Sequence, residues 1–211
     1  MNNAVFLYSD KLNGLIRTAC QRSLEFHFPE FEEQMNAIQL SMIKLCSSRL
    51  SKPAGKPIPG DIFISKHSNL VDLTPGFDFI NVIFHVVVDE ESPDSWTKMT
   101  SLNCSIPPYL MNALHVILRL CFQYNITTIS LPLFLTSGFH SKKMDSTTRL
   151  KKAEMIIKAI KGILTELTTW KGEVLNTIQF LVPSEMDTEE LKELSSLVPK
   201  CFQIISHCPF D

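Results

Sequence analysis

The sequence predicts an α/β fold: a three-layer α/β/α sandwich around a mostly parallel or mixed central sheet. Three observations carry that reading. From about residue 60 onward, strand-like and helix-like segments alternate, and parallel strands need helical crossovers between them. Two strand candidates, Val82–Val88 and Thr128–Phe134, are apolar without polar alternation, the pattern of strands covered on both faces. A length of 211 residues, 45% of them hydrophobic, suits one generous domain that needs no disulfide or metal to fold.

The elements follow in order. Val5–Tyr8 reads as a short strand, and Leu12 to about Glu25 as a helix. The Phe28-Pro29 step breaks that helix from a second over Phe31–Leu50, in which Phe31, Met35, Ile38, Met42 and Leu45 recur on one face. Lys52–Gly60 holds three prolines and two glycines in nine residues and is a loop. Ile62–Ser65 and Phe79–Val88 are strands, and Asp89–Asp94 is an acidic surface loop. Pro108–Tyr124 is a helix apolar enough to be largely buried. Thr128–Phe134 is a strand whose Pro132 marks an edge, a bulge or a turn into loop. Thr148–Thr168 is the clearest amphipathic helix, with Leu150, Ala153, Ile156, Ile157, Ile160, Ile163, Leu164 and Leu167 on one stripe. Thr177–Val182 is a strand, Asp187–Val198 a short acidic helix capped by Asp187 or Thr188, and Phe202–Ile205 a last strand. The whole of 1–211 thus reads as one α/β domain. It places a strand plus two helices over 1–50, a Pro/Gly loop over 51–60 and alternating strands and helices over 61–211.

Composition excludes several classes. The 20 Lys+Arg against 22 Asp+Glu leave a formal charge of −2, so no global positive field draws in nucleic acid. The apolar fraction excludes intrinsic disorder. The amino-terminal residues lack the basic start and long apolar core of a signal peptide, and no apolar run approaches the ~18–20 residues of a membrane span. Six cysteines without a CxxC pair read as reduced thiols, which fits a cytoplasmic chain.

The catalytic inventory is sparse. Six histidines (His27, His67, His85, His115, His140 and His207) never pair at helical zinc spacing or as HxH, so no metal is expected. His85, inside an apolar strand, reads as a core histidine rather than a general base. No G-x-S-x-G elbow is present. The seven glycines are never closer than five residues, which leaves no P-loop and no G-x-G-x-x-G. Catalytic residues, cofactors and metals are all expected to be none.

One charged feature stands out. Between His140 and Gly162 lie Lys142, Lys143, Arg149, Lys151, Lys152, Lys158 and Lys161 against Asp145 and Glu154, a local balance of 7 − 2 = +5. Such a stretch could meet the phosphates of RNA or lipid, or an acidic partner; its plainer reading is a solvated helix face. No aromatic side chain interleaves with the lysines, which weakens a single-stranded RNA reading.

Four segments in order carry a resemblance. They are Phe26-His-Phe-Pro-Glu-Phe-Glu-Glu-Gln34, Pro59-Gly-Asp-Ile-Phe-Ile-Ser-Lys-His-Ser-Asn-Leu70, Ile126-Thr-Thr-Ile-Ser-Leu-Pro-Leu133 and Thr177-Ile-Gln-Phe-Leu-Val-Pro183. Together they resemble the FERRY endosomal Rab5 effector complex subunit 3 family, from about Val5 to Ile205. Longer members of that family carry a helical amino-terminal half, so the chain looks like the carboxy-terminal domain. The resemblance implies a non-catalytic subunit or interaction module of an assembly that carries and localises mRNA on early endosomes. Its partners would be the other subunits, with a Rab GTPase and mRNA met through the assembly. Its location would be cytoplasmic, peripheral to early endosomes.

A more distant similarity bears on fold. Gly60 through Leu70, Val82-Ile-Phe-His-Val86, a buried helix, Ile129-Ser-Leu-Pro132 and Thr136-Ser-Gly138 follow the order of the later half of a macro domain. That resemblance makes the expected sandwich macro domain-like, with Thr136, Ser137 and Gly138 as a vestigial ligand loop. Only Gly138 remains of the glycines that wrap a diphosphate, and bulky Phe139 and His140 follow it. The alternative reading is a degenerate macro-like domain that binds or hydrolyses an ADP-ribose-type nucleotide. Phe26–Phe31 and the helix Pro108–Tyr124 are the natural docking surfaces if partly exposed.

Overall fold

A computed structural model describes residues 29–47, 58–70, 80–88, 105–133, 145–171, 175, 177–182 and 186–202. The chain divides into two compact units, Met1–Asp89 and Glu90–Asp211. The early strand at Val5–Tyr8, the helix from Leu12 and the acidic loop Asp89–Asp94 lie outside the described residues.

The first unit holds helix α1 (Phe31–Ser47) and strands β1 (Ile62–Leu70) and β2 (Ile80–Val86). Helix α1 turns Phe31 into the core, with Met35, Ile38 and Met42 half-buried along the same face. Strands β1 and β2 run antiparallel, Phe63 opposite His85 and Ser65 opposite Ile83. The sequence leaves open a mostly parallel or a mixed sheet, and this pair is antiparallel. Only residues 71–79 separate the two strands, too short a connection for the dozen or more residues a parallel crossover takes. The pleat then explains the burial. Ser65, Ile83 and His85 share the covered face, while Ile64, one residue out of step, is 40% exposed.

A turn at Ile58–Asp61 leads into β1. Asp61 N–H donates to Ile58 O at 3.0 Å, with Pro59 at the first central position and Gly60 at φ 93° in the second, where a side chain would be strained. The Asp61 carboxylate accepts from Ile58 N–H at 2.9 Å and locks the turn.

The second unit holds α2 (Pro108–Gln123), β3 (Thr128–Pro132), α3 (Ser146–Lys171), β4 (Thr177–Leu181) and α4 (Thr188–Phe202). Helix α2 starts on Pro108, whose missing N–H costs nothing at a first turn. It ends with Asn125 in the left-handed region at φ 55°, Ile126 N–H reaching back to Cys121 O at 2.9 Å. Leu110, Ala113, Leu114, Ile117, Leu118, Cys121 and Phe122 are all buried, as its composition predicts. Strands β3 and β4 pair in parallel without a slip, Thr128 opposite Thr177 through Pro132 opposite Leu181, and α3 is the crossover between them.

Helix α3 carries the core of this unit. Ala153, Ile156, Ile157 and Ile160 are fully buried, and Ala153 and Ile157 join Leu133 and Leu194 in one apolar cluster. Both α2 and α4 pack against α3. Phe202, expected to open a last strand, instead closes α4; the rest of that expected strand lies outside the described residues.

The described residues thus form mixed α/β structure with two two-stranded sheets, one antiparallel and one parallel. A single mostly parallel or mixed central sheet joining the two is not seen among the described residues.

Candidate functional site

Helix α3 bears most of the basic stretch, so its side chains decide what that stretch can do. The helix begins two residues earlier than its hydrophobic period suggests. The Asp145 carboxylate accepts from Thr148 N–H at 3.2 Å and from the Thr148 hydroxyl at 2.5 Å, capping the first turn. The hydrogen bond from Thr148 holds the Asp145 carboxyl below its ordinary pKa, and Arg149 nearby acts in the same direction. The acid counted against the basic stretch is therefore committed to the helix terminus.

The seven basic residues do not form one free patch. Lys142 and Lys143 lie outside the described residues, as do Thr136, Ser137 and Gly138 of the expected ligand loop. Arg149 forms a two-pronged pair with Glu190 on α4: Nε donates to Oε1, and Nη2 donates to Oε2 at 2.7 Å. The hydrogen bond from Arg149 to Glu190 raises the guanidinium pKa further. Lys158 pairs with Glu154 one turn earlier at 2.6 Å, which raises the ammonium pKa. Lys161 Nζ donates to Cys201 O at 2.6 Å, satisfying a carbonyl in the last turn of α4. Lys152 is 2% exposed, and Lys151 faces solvent.

The chemistry of this arrangement is internal. Arg149 with Glu190 ties the first turns of α3 and α4, Ala153 and Ile157 with Leu194 pack next along them, and Lys161, partway along α3, meets Cys201 in the last turn of α4. The two helices therefore run side by side in the same direction. Sequence reading missed Glu190 and Cys201 because they lie 41 and 40 residues from their partners. Asp145 carried a readable signal, an aspartate three residues before the Thr148 amide it caps.

The strand histidine is a core residue, as its sequence context predicts. Ser65 Oγ and His85 Nε2 are 2.7 Å apart, both side chains are buried, and the Phe31 ring lies 6.1 Å from the imidazole. A base within reach of a hydroxyl is the start of a nucleophilic pair. Ser65, however, has no exposed surface for a substrate to meet. Among the described residues no cluster of His, Cys, Asp or Glu could hold a metal ion. Burial pushes the Cys121 thiol up to about 11, so it carries almost no thiolate near neutrality. No described helix is long and apolar enough to cross a membrane.

The buried apolar face of α2 leaves Met111, Val116 and Leu120 half-buried, and Tyr124 just past its end is 66% exposed. Phe31 is buried too, because it packs beside His85; Phe26 to Phe28 lie outside the described residues.

Fold and site together define a mixed α/β protein whose conspicuous charges hold its own helices in place. The family model of "Ferry endosomal RAB5 effector complex subunit 3" matches residues 1–208, and the chain belongs to that family. It is 29% identical over 246 aligned positions to proteins of that name from Homo sapiens, Pongo abelii and Mus musculus. The match covers 98% of this chain and 42% of those relatives, so the chain spans less than half their length. No solved structure is significantly similar to it.

Proposed function

We propose that this chain is a non-catalytic interaction module of a Rab5 effector complex, cytoplasmic and peripheral to early endosomes, within an assembly that carries mRNA. The observation that carries the reading is the family match across residues 1–208. Two others support it: the catalytic motifs sought in the sequence are missing, and Arg149, Lys158 and Lys161 are spent on internal contacts. Its direct partners are the other subunits, with the Rab GTPase and mRNA reached through the assembly.

The test is a pull-down from cytosol with this chain as bait, read by mass spectrometry. Recovery of the other subunits is the expected outcome; their absence in the presence of a folded bait would overturn the reading. Messenger RNA is carried by the assembly rather than gripped by α3. Reversing charge at Lys151 and Lys158 should leave RNA affinity of the assembled complex unchanged, and a tenfold loss would move the contact onto this helix.

A macro-like scaffold remains part of the proposal, supported by the β3–α3–β4 crossover and by the order of resembling segments. So does the single domain, for which heat should melt residues 1–211 in one transition. The competing reading, a nucleotide ligand of ADP-ribose type, is tested by calorimetric titration. No heat of binding is expected, and micromolar binding would favour that reading instead.

A further inference from the structure

Among the described residues β1 pairs with β2 alone, and an edge strand offers unpaired backbone groups that template a foreign strand. In β1 the groups of Phe63 and Ser65 point toward β2, and those of Ile62, Ile64 and Lys66 point away from it, as the alternation of an antiparallel ladder requires. At Lys66 the outward groups are taken by a side chain. Gln34 Nε2 donates to Lys66 O at 2.8 Å, and Lys66 N–H donates to Gln34 Oε1 at 2.9 Å. The second Gln34 amide hydrogen goes to Pro29 O at 3.0 Å, which fixes the carboxamide orientation, since the flipped amide would face two carbonyls with its oxygen. A carboxamide bonded to both groups of one residue reproduces what one residue of an added strand would do.

We propose that Gln34 is an edge guard, whose side chain keeps β1 from pairing with the β1 of a second copy. The occupant follows from the strand itself. Antiparallel self-pairing about a two-fold axis at Ile64 sets Ile64 against Ile64 and Ile62 against Lys66. Ile64 supplies an apolar centre, being 40% exposed on a strand whose neighbours Phe63 and Ser65 turn inward. In that register Lys66 must offer both outward groups to Ile62 of the other copy, and those are the groups Gln34 occupies. Blocking one residue therefore removes both ends of the symmetric ladder at once. The inference stands apart from the subunit reading, because it concerns only this chain with itself.

The test is sedimentation equilibrium of the whole chain. Gln34→Ala should strengthen self-association at least tenfold over the parent, and Ile64→Lys added to it should return the parental value. An unchanged association constant for Gln34→Ala, or a gain that Ile64→Lys does not reverse, would overturn the proposal. If Gln34→Ala does not fold, hydrogen exchange on the parent decides. The Lys66 amide protected beside a fast-exchanging Ile64 amide supports a guarded open edge. A slow Ile64 amide shows the edge already paired and overturns it.

Discussion

Arg149 on α3 and Glu190 on α4 meet fork against fork, across 41 residues of sequence, with the carboxylate only 7% exposed. The guanidinium supplies two aligned donors to that carboxylate. Removing one partner of such a pair leaves the other charge half-buried, which costs more than the intact pair contributes. Glu190→Ala should therefore lower stability by about 2 kcal/mol, a fall in melting temperature of about 4–8 °C. Glu190→Gln, which retains one acceptor, should lose less. A double-mutant cycle with Arg149→Ala measures the coupling, and a coupling near zero would show the pair to be incidental.

The apolar seam beside that pair gives a second prediction. Ile157 is fully buried in the cluster with Leu133, Ala153 and Leu194. Truncation there leaves a cavity that neighbouring helices fill only in part, so Ile157→Ala should cost about 3 kcal/mol and Ile157→Val about 1 kcal/mol. Leu40 on α1 is 60% exposed, and Leu40→Ala should change stability by under about 0.5 kcal/mol. Urea unfolding of the three variants checks the ranking.

The helices were the legible part of this molecule. Periods of three and four residues place Phe31, Met35, Ile38 and Met42 on the turned-in face of α1, and Ala153 through Leu167 on the buried stripe of α3. Pairing was harder to read. The run Val82–Val88 lacks alternation, which signals cover on both faces but does not say whether the neighbour is parallel or antiparallel; the short 71–79 connection was the better clue. Charge was misleading for a related reason, because counting lysines along α3 ignores partners far away in sequence. Lys152 is the instructive residue: it precedes Ile156 and Ile160 by four and eight positions, so helical arithmetic alone puts it on the buried stripe. Gln34 left no sequence signal, since nothing local marks a carboxamide that will meet a strand edge 32 residues later.

Cys121 makes a prediction on the alkaline side. Burial raises its thiol from an ordinary 9.0 to about 11, so the folded chain holds a proton that the unfolded chain releases. A group whose folded pKa is raised contributes stability below its unfolded value and loses it as pH climbs toward the folded one. Stability should thus fall between about pH 9 and 11, and Cys121→Ala should flatten that limb while costing packing at every pH. Iodoacetamide at pH 8 should label Cys201, which is half-buried, well before Cys121. Labelling of Cys121 in the native state would contradict its burial.

Asp145 makes the matching prediction in acid. Its carboxyl is held below the ordinary value chiefly by the hydrogen bond from Thr148, because the ionised form accepts the capping bonds at the start of α3. A depressed folded pKa contributes stability above the unfolded value, near pH 4, and that contribution is lost as pH falls through the folded one. Asn caps a helix nearly as well as Asp but carries no proton to titrate in this range. Asp145→Asn should therefore leave stability almost unchanged at pH 7 and shrink the loss that follows below about pH 4. Asp145→Ala, with no acceptor for the Thr148 amide, should be weaker than the parent at pH 7 and converge on it in acid. Thermal melts of the three chains from pH 7 to pH 3 would separate the cases. Parallel curves for parent and Asp145→Asn throughout would mean that the cap does not depend on charge.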